Sequence, residues 1–467
     1  MAKNLTEGDP ARLILFFTLP LIAGNIFQQM YAFVDTLIVG RILGVEALAA
    51  VGCTGSLMFL MLGFVMGITS GFSICTGQRF GAKDRRGVRQ SAAACAVLSL
   101  ISSIVLTAIG VPLCRTFLVW MQTPPEILEG AHAFISIVYG GIVMFVFLQM
   151  QTNILRALGD SRTPTIIMAV TLGINILLEP AAILGLGWGI PGAALATVAS
   201  QCIGNGICFL YILKKVPILH TRREDWNLSG KVLKAHLRIG LPMGFQASII
   251  AIGAVVLQIA LNRLGPDAVA AYAASQKVDA VAIMPMMSFG MAMAAYTAQN
   301  YGARKFERIA EGVKKCVYMS GSFSLFAGAF TILAGPAIMH LFVGDGQQPI
   351  IDYGETYFIA NGSCYWILSL LFIFRFTLQG LGQSLVPTIA GIMELFMRVG
   401  AALGLVAPLG FLGACLANPL AWVGACVPLG IAFFLTRRRL HGAHLRQMQI
   451  MERRASAGDS QRQESVL

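Results

Sequence analysis

The chain repeats itself along its whole length. The residues LGVEALAA at 43–50 return as LGPDAVAA at 264–271, and QRFGAK at 78–83 returns as QNYGAR at 299–304. The glycine and alanine positions of 189–196 recur at 410–417. With small slips, Leu19-Pro20 matches Leu241-Pro242 and LGDS at 158–161 matches LGQS at 381–384. One module of roughly 220 residues is therefore used twice, which restricts the fold to two copies of one bundle.

The composition indicates that these bundles lie in lipid. Hydrophobic residues make up 56% of the chain and charged residues 12%, against about 25% charged residues in soluble proteins. The segment 13–39 carries a single charge, Asp35, and is long enough to cross a hydrocarbon core of ~30 Å.

Twelve such spans are predicted, and helix is the only suitable structure, because lipid offers no partners to an open backbone. The expected fold is an all-α membrane protein with two homologous six-helix bundles. Six spans are an even number, so the bundles are related by a pseudo-two-fold axis along the membrane normal, with a cavity between them. The predicted spans lie at 13–39, 48–78, 91–113, 131–155, 164–186, 191–213, 239–262, 268–298, 316–341, 354–377, 385–407 and 411–435.

Positive charge predicts the orientation. Of the 34 Lys and Arg residues, 28 lie in the N-terminus, in the C-terminal tail or in loops on the same side of the membrane as the two termini. This side is therefore expected to be cytoplasmic. The predicted parts are a cytoplasmic N-terminus (1–12), a first lobe (13–213), a linker loop (214–238), a second lobe (239–435) and a basic tail (436–467). The tail is expected to be disordered and to touch anionic lipid.

Other function classes find little support. The net charge of +12 lies in short loops beside spans, so topology explains it and no nucleic-acid partner is expected. The ten cysteines form no CxxC pair, so no disulfide or zinc site is expected. The first span is too long for a signal peptide, and its counterpart at Leu241-Pro242 opens a span in mid-chain, so it is expected to be retained.

Span 1 carries a polar stripe at membrane depth. Interhelical hydrogen bonds would account for its amides, but a charge at a helix centre costs ~2.5–3.5 kcal/mol on insertion scales, which makes Asp35 a functional candidate. The stripe is formed by Asn25, Gln28, Gln29, Asp35 and Thr36, with Tyr31 beside it.

Span 5 carries a second acid. Asn175 and Glu179 share a helix face, and Pro180 frees the carbonyl of Ile176 because proline has no N–H. Oxygen donors of this kind suit a hard cation or a proton, although a protonated Glu179 in a kinked helix would explain the pattern too. Thr197 in span 6 is a weaker candidate, since a membrane threonine often bonds its own helix. If Asp35 and Glu179 approach each other, a proton, Na⁺ or an organic cation would relieve their repulsion, and competition among these would couple them.

In the second half, Glu394 and Arg398 are expected to form a structural pair along one helix. Lys277 and Asp279 are two residues apart and do not face each other, so each needs a partner elsewhere or lines the cavity. A methionine cluster that includes Met287 and Met291 is a candidate for a pliable substrate wall, although packing is the commoner role.

The motifs resemble those of the MATE (multidrug and toxic compound extrusion) family. The resemblance rests on Leu19-Pro20, Val34-Asp35-Thr36, Gly40-Arg41 and the paired QRFGA and QNYGA loops, and it covers residues 10–436. It implies a twelve-helix antiporter that expels cationic amphipathic compounds in exchange for Na⁺ or H⁺ across the cell membrane, with no further cofactor and as a monomer.

The resemblance also implies site residues. It assigns ion coupling, and Na⁺ binding if that is the ion, to Asp35, Asn175, Glu179 and Thr197, and helix bending to Pro20, with Pro180 as a second bend. The family usually has Asp at the position of Glu179, which leaves the charge alike and alters the cation geometry. The candidate substrate cavity comprises Gln28, Tyr31, Gln246, Asp279, Met287, Met291 and Arg375.

Two alternatives remain open. A lipid-linked oligosaccharide flippase of related fold would need a basic cavity, whereas the first lobe offers acids. An intramembrane enzyme or receptor is less favoured, because no His, Ser or metal cluster is visible at membrane depth and a receptor needs no duplicated module.

Overall fold

The structure is a computed structural model that describes residues 4–343 and 347–464, and its described residues form helices and no strands. Most helix breaks recur in both halves, as the repeat predicts. The helices are α1 (Pro10–Leu43), α2 (Val45–Cys53), α3 (Gly55–Gly81), α4 (Arg85–Trp120), α5 (Pro125–Gly140), α6 (Ile142–Ala157), α7 (Arg162–Pro180), α8 (Gly189–Lys215), α9 (Gly230–Asn262), α10 (Pro266–Gly302), α11 (Phe306–Val343), α12 (Gln348–Gly362), α13 (Tyr365–Gly380), α14 (Leu385–Gly404), α15 (Val406–Leu409) and α16 (Phe411–Glu464).

Twelve membrane spans are confirmed. Among the described residues, ten helices are long and apolar enough to cross a membrane, and two bent pairs supply the other two spans. The pairs α5–α6 and α12–α13 bend by 48° and 45°, at equivalent places in the two lobes. We call α1–α8 the first lobe and α9–α16 the second lobe.

Helix ends extend beyond the predicted apolar stretches where polar caps support them. Helix α4 begins at Arg85, because the side chain of Asp84 accepts a hydrogen bond from the backbone N–H of Gly87; such a cap satisfies one of the free N–H groups of the first turn. Helix α7 leads into a π-helical turn, Ala181–Gly185, directly after Pro180. The backbone irregularity predicted at Pro180 is therefore present.

The C-terminal segment differs from its predicted disorder. Helix α16 continues without a break to Glu464. After Pro428 the chain contains no further proline and is rich in Arg, Gln, Ala and Met, which favour helix. The composition that suggested disorder is thus equally compatible with an extended polar helix.

The two lobes meet along α3 and α9 through glycines. A Cβ on Gly67 would overlap the backbone of Met243, and a Cβ on Gly71 would overlap the Cα of Gly240. The two backbones are in direct contact there, as in the small-residue interfaces by which membrane helices pack closely. At positions 67 and 71 of this seam, any side chain larger than that of glycine would overlap the facing backbone.

The Lys/Arg-rich loops lie at one end of the bundle, which we call the basic end: there Arg308 bonds the carbonyl of Gly8, Arg89 pairs with Asp225, and His441 pairs with Glu307. The residues that follow the glycine seam toward this end form a reciprocal contact. Gln78 of α3 donates to the carbonyl of Gly380 in the second lobe at 2.9 Å, and Gln299 of α10 donates to the carbonyl of Ala157 in the first lobe at 2.8 Å. Gln78 and Gln299 are equivalent positions of the repeat, so one interaction is made twice across the pseudo-two-fold axis. We call this pair of bonds the glutamine latch.

The N-terminal residues strengthen this closure by crossing to the second lobe. The backbone N–H of Leu5 donates to Gln299 Oε1 at 2.9 Å, and Lys305 Nζ donates to the carbonyl of Thr6 at 2.8 Å. Arg308 donates to the carbonyl of Gly8 at 2.9 Å. The start of the chain therefore joins the two lobes at the basic end.

The lobes separate toward the opposite end. The seam extends outward to Gly63, which contacts Ala247. One turn further along the same face of α3, Phe59 is 62% exposed, and Ile252 and Val255 of α9 are about half exposed. The cleft between the lobes is therefore open away from the basic end and closed at it.

Removal of the glutamine latch should favour opening at the basic end. We expect Gln78→Ala combined with Gln299→Ala to remove about 1.5–4.5 kcal/mol of contact energy, because it deletes both latch bonds and the bond from Leu5 to Gln299, and each net hydrogen bond contributes about 0.5–1.5 kcal/mol. The reporter is Cys75, which is buried in the seam beside Ile239 and Met243. Its alkylation by a maleimide, followed by peptide mass spectrometry, should accelerate several-fold.

The control for this experiment is Gln258→Ala, since Gln258 is exposed and bonds only Asn262 of its own helix among the described contacts. Equal Cys75 labelling in the double variant and in this control would show that the latch does not hold the lobes together.

Candidate ion-coupling site

The structure brings the two predicted acids of the first lobe together. Asp35 of α1 and Glu179 of α7 place their carboxyl groups close enough to interact directly. Thr197 of α8 donates a hydrogen bond to Asp35 Oδ1 at 3.1 Å. Three helices that are adjacent in the first lobe thus each contribute one member, and Thr197 does not bond its own helix through its hydroxyl.

A second pair of hydroxyls extends the site by one helical turn. Tyr31, four residues before Asp35 on α1, forms a hydrogen bond of 2.7 Å between its hydroxyl and that of Ser200. Ser200 Oγ also lies 2.8 Å from the carbonyl of Thr197. These contacts fix α1 against α8, so they position the Asp35 carboxyl relative to Thr197. Ser200 was not singled out from the sequence, because a single serine in a membrane helix has no distinctive pattern.

The deeper part of the site has polar atoms without partners. Asn175 and Glu179 are fully buried, and neither the amide atoms of Asn175 nor the carboxylate oxygens of Glu179 have a hydrogen-bond partner of good geometry among the described residues. Unsatisfied buried groups of this kind cost about 1–3 kcal/mol each, and more when charged. The arrangement therefore suits a ligand that accepts several oxygen donors.

The donor set fits a small hard cation or a proton. Asn175 Oδ1, both oxygens of Glu179, and the Asp35 and Thr197 oxygens are hard ligands, as alkali and alkaline-earth ions require. Asp35 is half-buried, whereas Glu179 is fully buried.

The second lobe holds a different acid in a closed setting. Asp279 of α10 accepts a hydrogen bond from Tyr357 at 2.9 Å and a second one from Tyr365. It is buried, and both tyrosines are fully buried. Asp279 was predicted to line the substrate cavity, whereas the structure places it inside the second lobe with both oxygens satisfied. Lys277, two residues away, is exposed and lies on another face.

The predicted Glu394–Arg398 pair has a third member. Arg398 lies 3.9 Å from Glu394, and Arg375 of α13 pairs directly with the same carboxylate. Arg398 is also 3.2 Å from Asn418 Oδ1. Arg375, predicted to line the cavity, is thus buried in an ion cluster of the second lobe. A contact between α13 and α14 could not be read from spacing along one helix.

The remaining predicted cavity residues divide between the lobes. Gln246 is buried and accepts a hydrogen bond from Gln379 at 3.0 Å. Gln28 is half-buried with its amide 3.5 Å from Met66 Sδ. Met287 and Met291 are half-buried on α10. Of the seven predicted cavity residues, Gln28, Tyr31, Met287 and Met291 are the partly exposed ones.

Pro20, predicted as a bend, and its repeat counterpart Pro242 are held by equivalent threonines. Thr165 donates to the carbonyl of Pro20 at 2.6 Å, and Thr388 donates to the carbonyl of Pro242 at 3.1 Å. The two pairs occupy equivalent positions of the repeat. In each lobe, a hydroxyl on the fifth span therefore holds the proline turn of the first span.

Known proteins share this architecture. The MatE family matches residues 20–181 and 242–406, which include both halves of the repeat and the positions of Asp35, Asn175 and Glu179. The chain belongs to the MatE family.

Members of this family are transporters. The chain is 27% identical to a probable multidrug resistance protein, YpnP, of Bacillus subtilis over 82% of this chain and 85% of that protein. It is 28% identical to a second such protein of that organism, YoeA, over 88% and 90% of the two chains. A solved outward-facing MATE family multidrug resistance transporter superimposes with a TM-score of 0.85 and 25% identity, over 94% of this chain and 98% of that one.

The ion cluster of the second lobe should contribute strongly to stability. We expect Glu394→Ala to lower the free energy of unfolding by about 3–5 kcal/mol, because it leaves two buried guanidinium groups without their carboxylate. The melting temperature in detergent, followed by tryptophan fluorescence, measures this loss. Replacing Arg375, Glu394 and Arg398 together with Met should restore most of it, because no buried charge is then left without a partner.

The matched control is Glu129→Ala, since Glu129 forms an exposed pair with Arg115 at 2.7 Å. Exposed pairs contribute about 0–1 kcal/mol. If Glu394→Ala melted at the same temperature as Glu129→Ala, the cluster would have no structural role.

Proposed function

We propose that this chain is a secondary active antiporter of the plasma membrane that exports cationic amphipathic organic compounds in exchange for Na⁺ or H⁺. The observation that carries the proposal is the first-lobe site, where Asp35 and Glu179 adjoin each other beside the partnerless Asn175. The names of the relatives as probable multidrug resistance proteins support export of drugs.

Two adjacent carboxylates at membrane depth favour the binding of positive charge. Leaving both ionised and empty would add like-charge repulsion to the cost of removing each from water. A proton, Na⁺ or an organic cation bound to the pair removes that cost. Since one site cannot hold two of them at full affinity, binding of the coupling ion weakens binding of the substrate.

Coupling requires that the two ligands prefer different facing states. With the basic end in the cytoplasm, as the positive charges predict, the cleft described above is open to the outside and the first-lobe site faces it. An ion that enters there and binds Asp35 and Glu179 displaces an organic cation into the external medium. A ligand shifts a two-state equilibrium only by its difference in affinity for the two states, so the ion must favour the subsequent inward opening.

Each helix that supplies the site has a role in this exchange. Thr197 and Asn175 provide neutral oxygens that accompany the acids, and Ser200 with Tyr31 holds α1 in register with α8. The Thr165 hydroxyl donates to the Pro20 carbonyl and so ties α7 to the turn of α1 that Pro20 weakens by lacking an N–H. A shift of α1 about Pro20 would move Asp35 relative to Glu179 and change the affinity of the pair.

No residue of the described chain has to act as a catalyst, and the chain is proposed to work as a monomer in contact with membrane lipid.

The proposed function is tested with purified protein in liposomes. A fluorescent cationic dye should be transported when a Na⁺ or a proton gradient is imposed, and the gradient that drives it identifies the coupling ion. We expect Asp35→Asn to lower the initial rate at least tenfold, since loss of a charged partner contributes about 1.5–3 kcal/mol. Glu179→Gln should have a similar effect.

Glu46→Gln is the matched control, because Glu46 is an exposed acid at the end of the bundle away from the basic end. Wild-type rates in Asp35→Asn would show that the site assignment is wrong. If the wild-type protein transported no cationic dye under either gradient, the antiporter proposal would be wrong. Transport of a lipid-linked substrate in the same liposomes would then indicate a flippase.

A further inference from the structure

A cavity lies between the two lobes on the membrane side of the glutamine latch. It has a volume of about 40 Å³, which exceeds the ~10–15 Å³ that one water molecule needs by this measure. Its polar lining comes from the first lobe, from Ser70 and Ser73 of α3 and from Asn153 and Arg156 of α6, beside the apolar Phe17, Leu21, Ile74 and Ala157. Its wall in the second lobe is apolar and includes Met291 and Phe376.

The cavity is closed from both ends of the bundle by contacts between the lobes. Toward the basic end, Ala157 lines it, and the carbonyl of Ala157 accepts the latch bond from Gln299. Toward the opposite end, Asn25 donates to Ser288 Oγ at 2.9 Å. The cavity therefore lies on the line along which the lobes must part when the basic end opens, and it then becomes the first part of the pathway that a solute meets from that end.

Arg156 is the one charged residue among the described residues that line this cavity. Its guanidinium donates to Asn153 Oδ1 at 3.2 Å, and its buried Nε has no partner. None of the carboxylates among the described residues pairs with it, whereas Arg79, Arg89, Arg115, Arg375 and Arg398 all have acidic partners. Arg156 is half-buried, and a guanidinium partly withdrawn from water without a carboxylate is costly, so this side chain is suited to receive an anionic group.

The repeat shows that the fold does not require a cation at this place. Arg156 precedes Leu158-Gly159 by the same spacing as Gln379 precedes Leu381-Gly382, so Gln379 is its counterpart. Gln379 is neutral and bonds Gln246 within its own lobe. The positive charge belongs to one lobe only, as do Asp35 and Glu179.

We propose that Arg156, with Asn153, Ser70 and Ser73, forms a binding site for the carboxylate or phosphate group of an amphipathic substrate that enters from the basic end. The planar guanidinium binds such groups through two parallel N–H donors, and the Ser70 hydroxyl supplies a further donor, whereas the Ser73 hydroxyl donates to the carbonyl of Ser70 at 2.7 Å. The apolar wall of the second lobe accommodates the rest of the molecule. The substrates would then include zwitterions as well as cations. This proposal rests on the transport function proposed above.

The test uses two ligands that differ only in the acid, a rhodamine with a free carboxylate and its methyl ester. Equilibrium binding to the purified full-length protein is measured by fluorescence anisotropy. Arg156→Gln, which installs the residue of the symmetric position, should weaken binding of the acid at least tenfold and of the ester less than twofold. Loss of hydrogen bonds to a charged group has this size. Arg156→Lys should retain part of the acid affinity.

Arg162→Gln is the matched control, because Arg162 is an exposed arginine of the same loop region; it should bind both ligands as the wild type does. Retained ester binding by Arg156→Gln shows that this variant is folded. Equal effects of Arg156→Gln on the two ligands, or no effect on either, would overturn the proposal.

A second measurement covers the case in which Arg156→Gln does not fold. In a Ser70→Cys variant with Arg156 intact, the acid should slow alkylation of the new cysteine more than the ester does. Equal protection by the two ligands would overturn the proposal, as would protection by inorganic phosphate without protection by the acid, because the site would then hold only a free inorganic ion.

Binding does not depend on an ion gradient, so the outcome is separate from that of the transport assay. Acid-selective binding without gradient-driven export would contradict the antiporter proposal and support the Arg156 site. Export of both ligands at unchanged relative rates by Arg156→Gln would contradict the Arg156 site and support the antiporter proposal.

Discussion

Direct backbone contact between α3 and α9 is the constraint on which the remaining structure depends. Gly67 and Gly71 lie against Met243 and Gly240 with no space for a side chain, so the lobes have one well-defined position when the basic end is closed. The glutamine latch and the crossing N-terminal residues are all placed by this seam. Since packed interfaces of this kind are bistable rather than continuously deformable, opening at the basic end is expected to separate the whole seam at once.

The fold could be predicted from the sequence because few backbone structures satisfy all of their own hydrogen bonds in lipid. The repeat, the apolar segments and the distribution of Lys and Arg together indicated two bundles of six spans, and all twelve are present. The ends of the helices could not be predicted, because polar caps such as Asp84 extend them beyond the apolar stretch. The C-terminal prediction was wrong for a related reason, since a polar composition without proline is compatible with helix as well as with disorder.

Within the candidate site, the parts that follow from local spacing were predictable and the parts that depend on packing between helices were not. The cost of an acid in lipid singled out Asp35 and Glu179, and the structure places them side by side. The partners Ser200 and Arg375 come from helices distant in sequence, so no spacing could identify them. The charge on Arg156 was attributed to orientation alone, although in the structure its side chain lines a cavity between the lobes.

The glutamine latch has a consequence for the origin of the fold. Because Gln78 bonds the second lobe as Gln299 bonds the first, a single six-helix chain with one such glutamine would form both bonds by pairing with a second copy of itself. Such a parallel homodimer is isologous, with the same patch on both subunits, and would be closed at one end before any gene fusion. In the present chain the two copies differ in sequence, so the pair Asp35 and Glu179 lies in the first lobe while both lobes contribute to the latch.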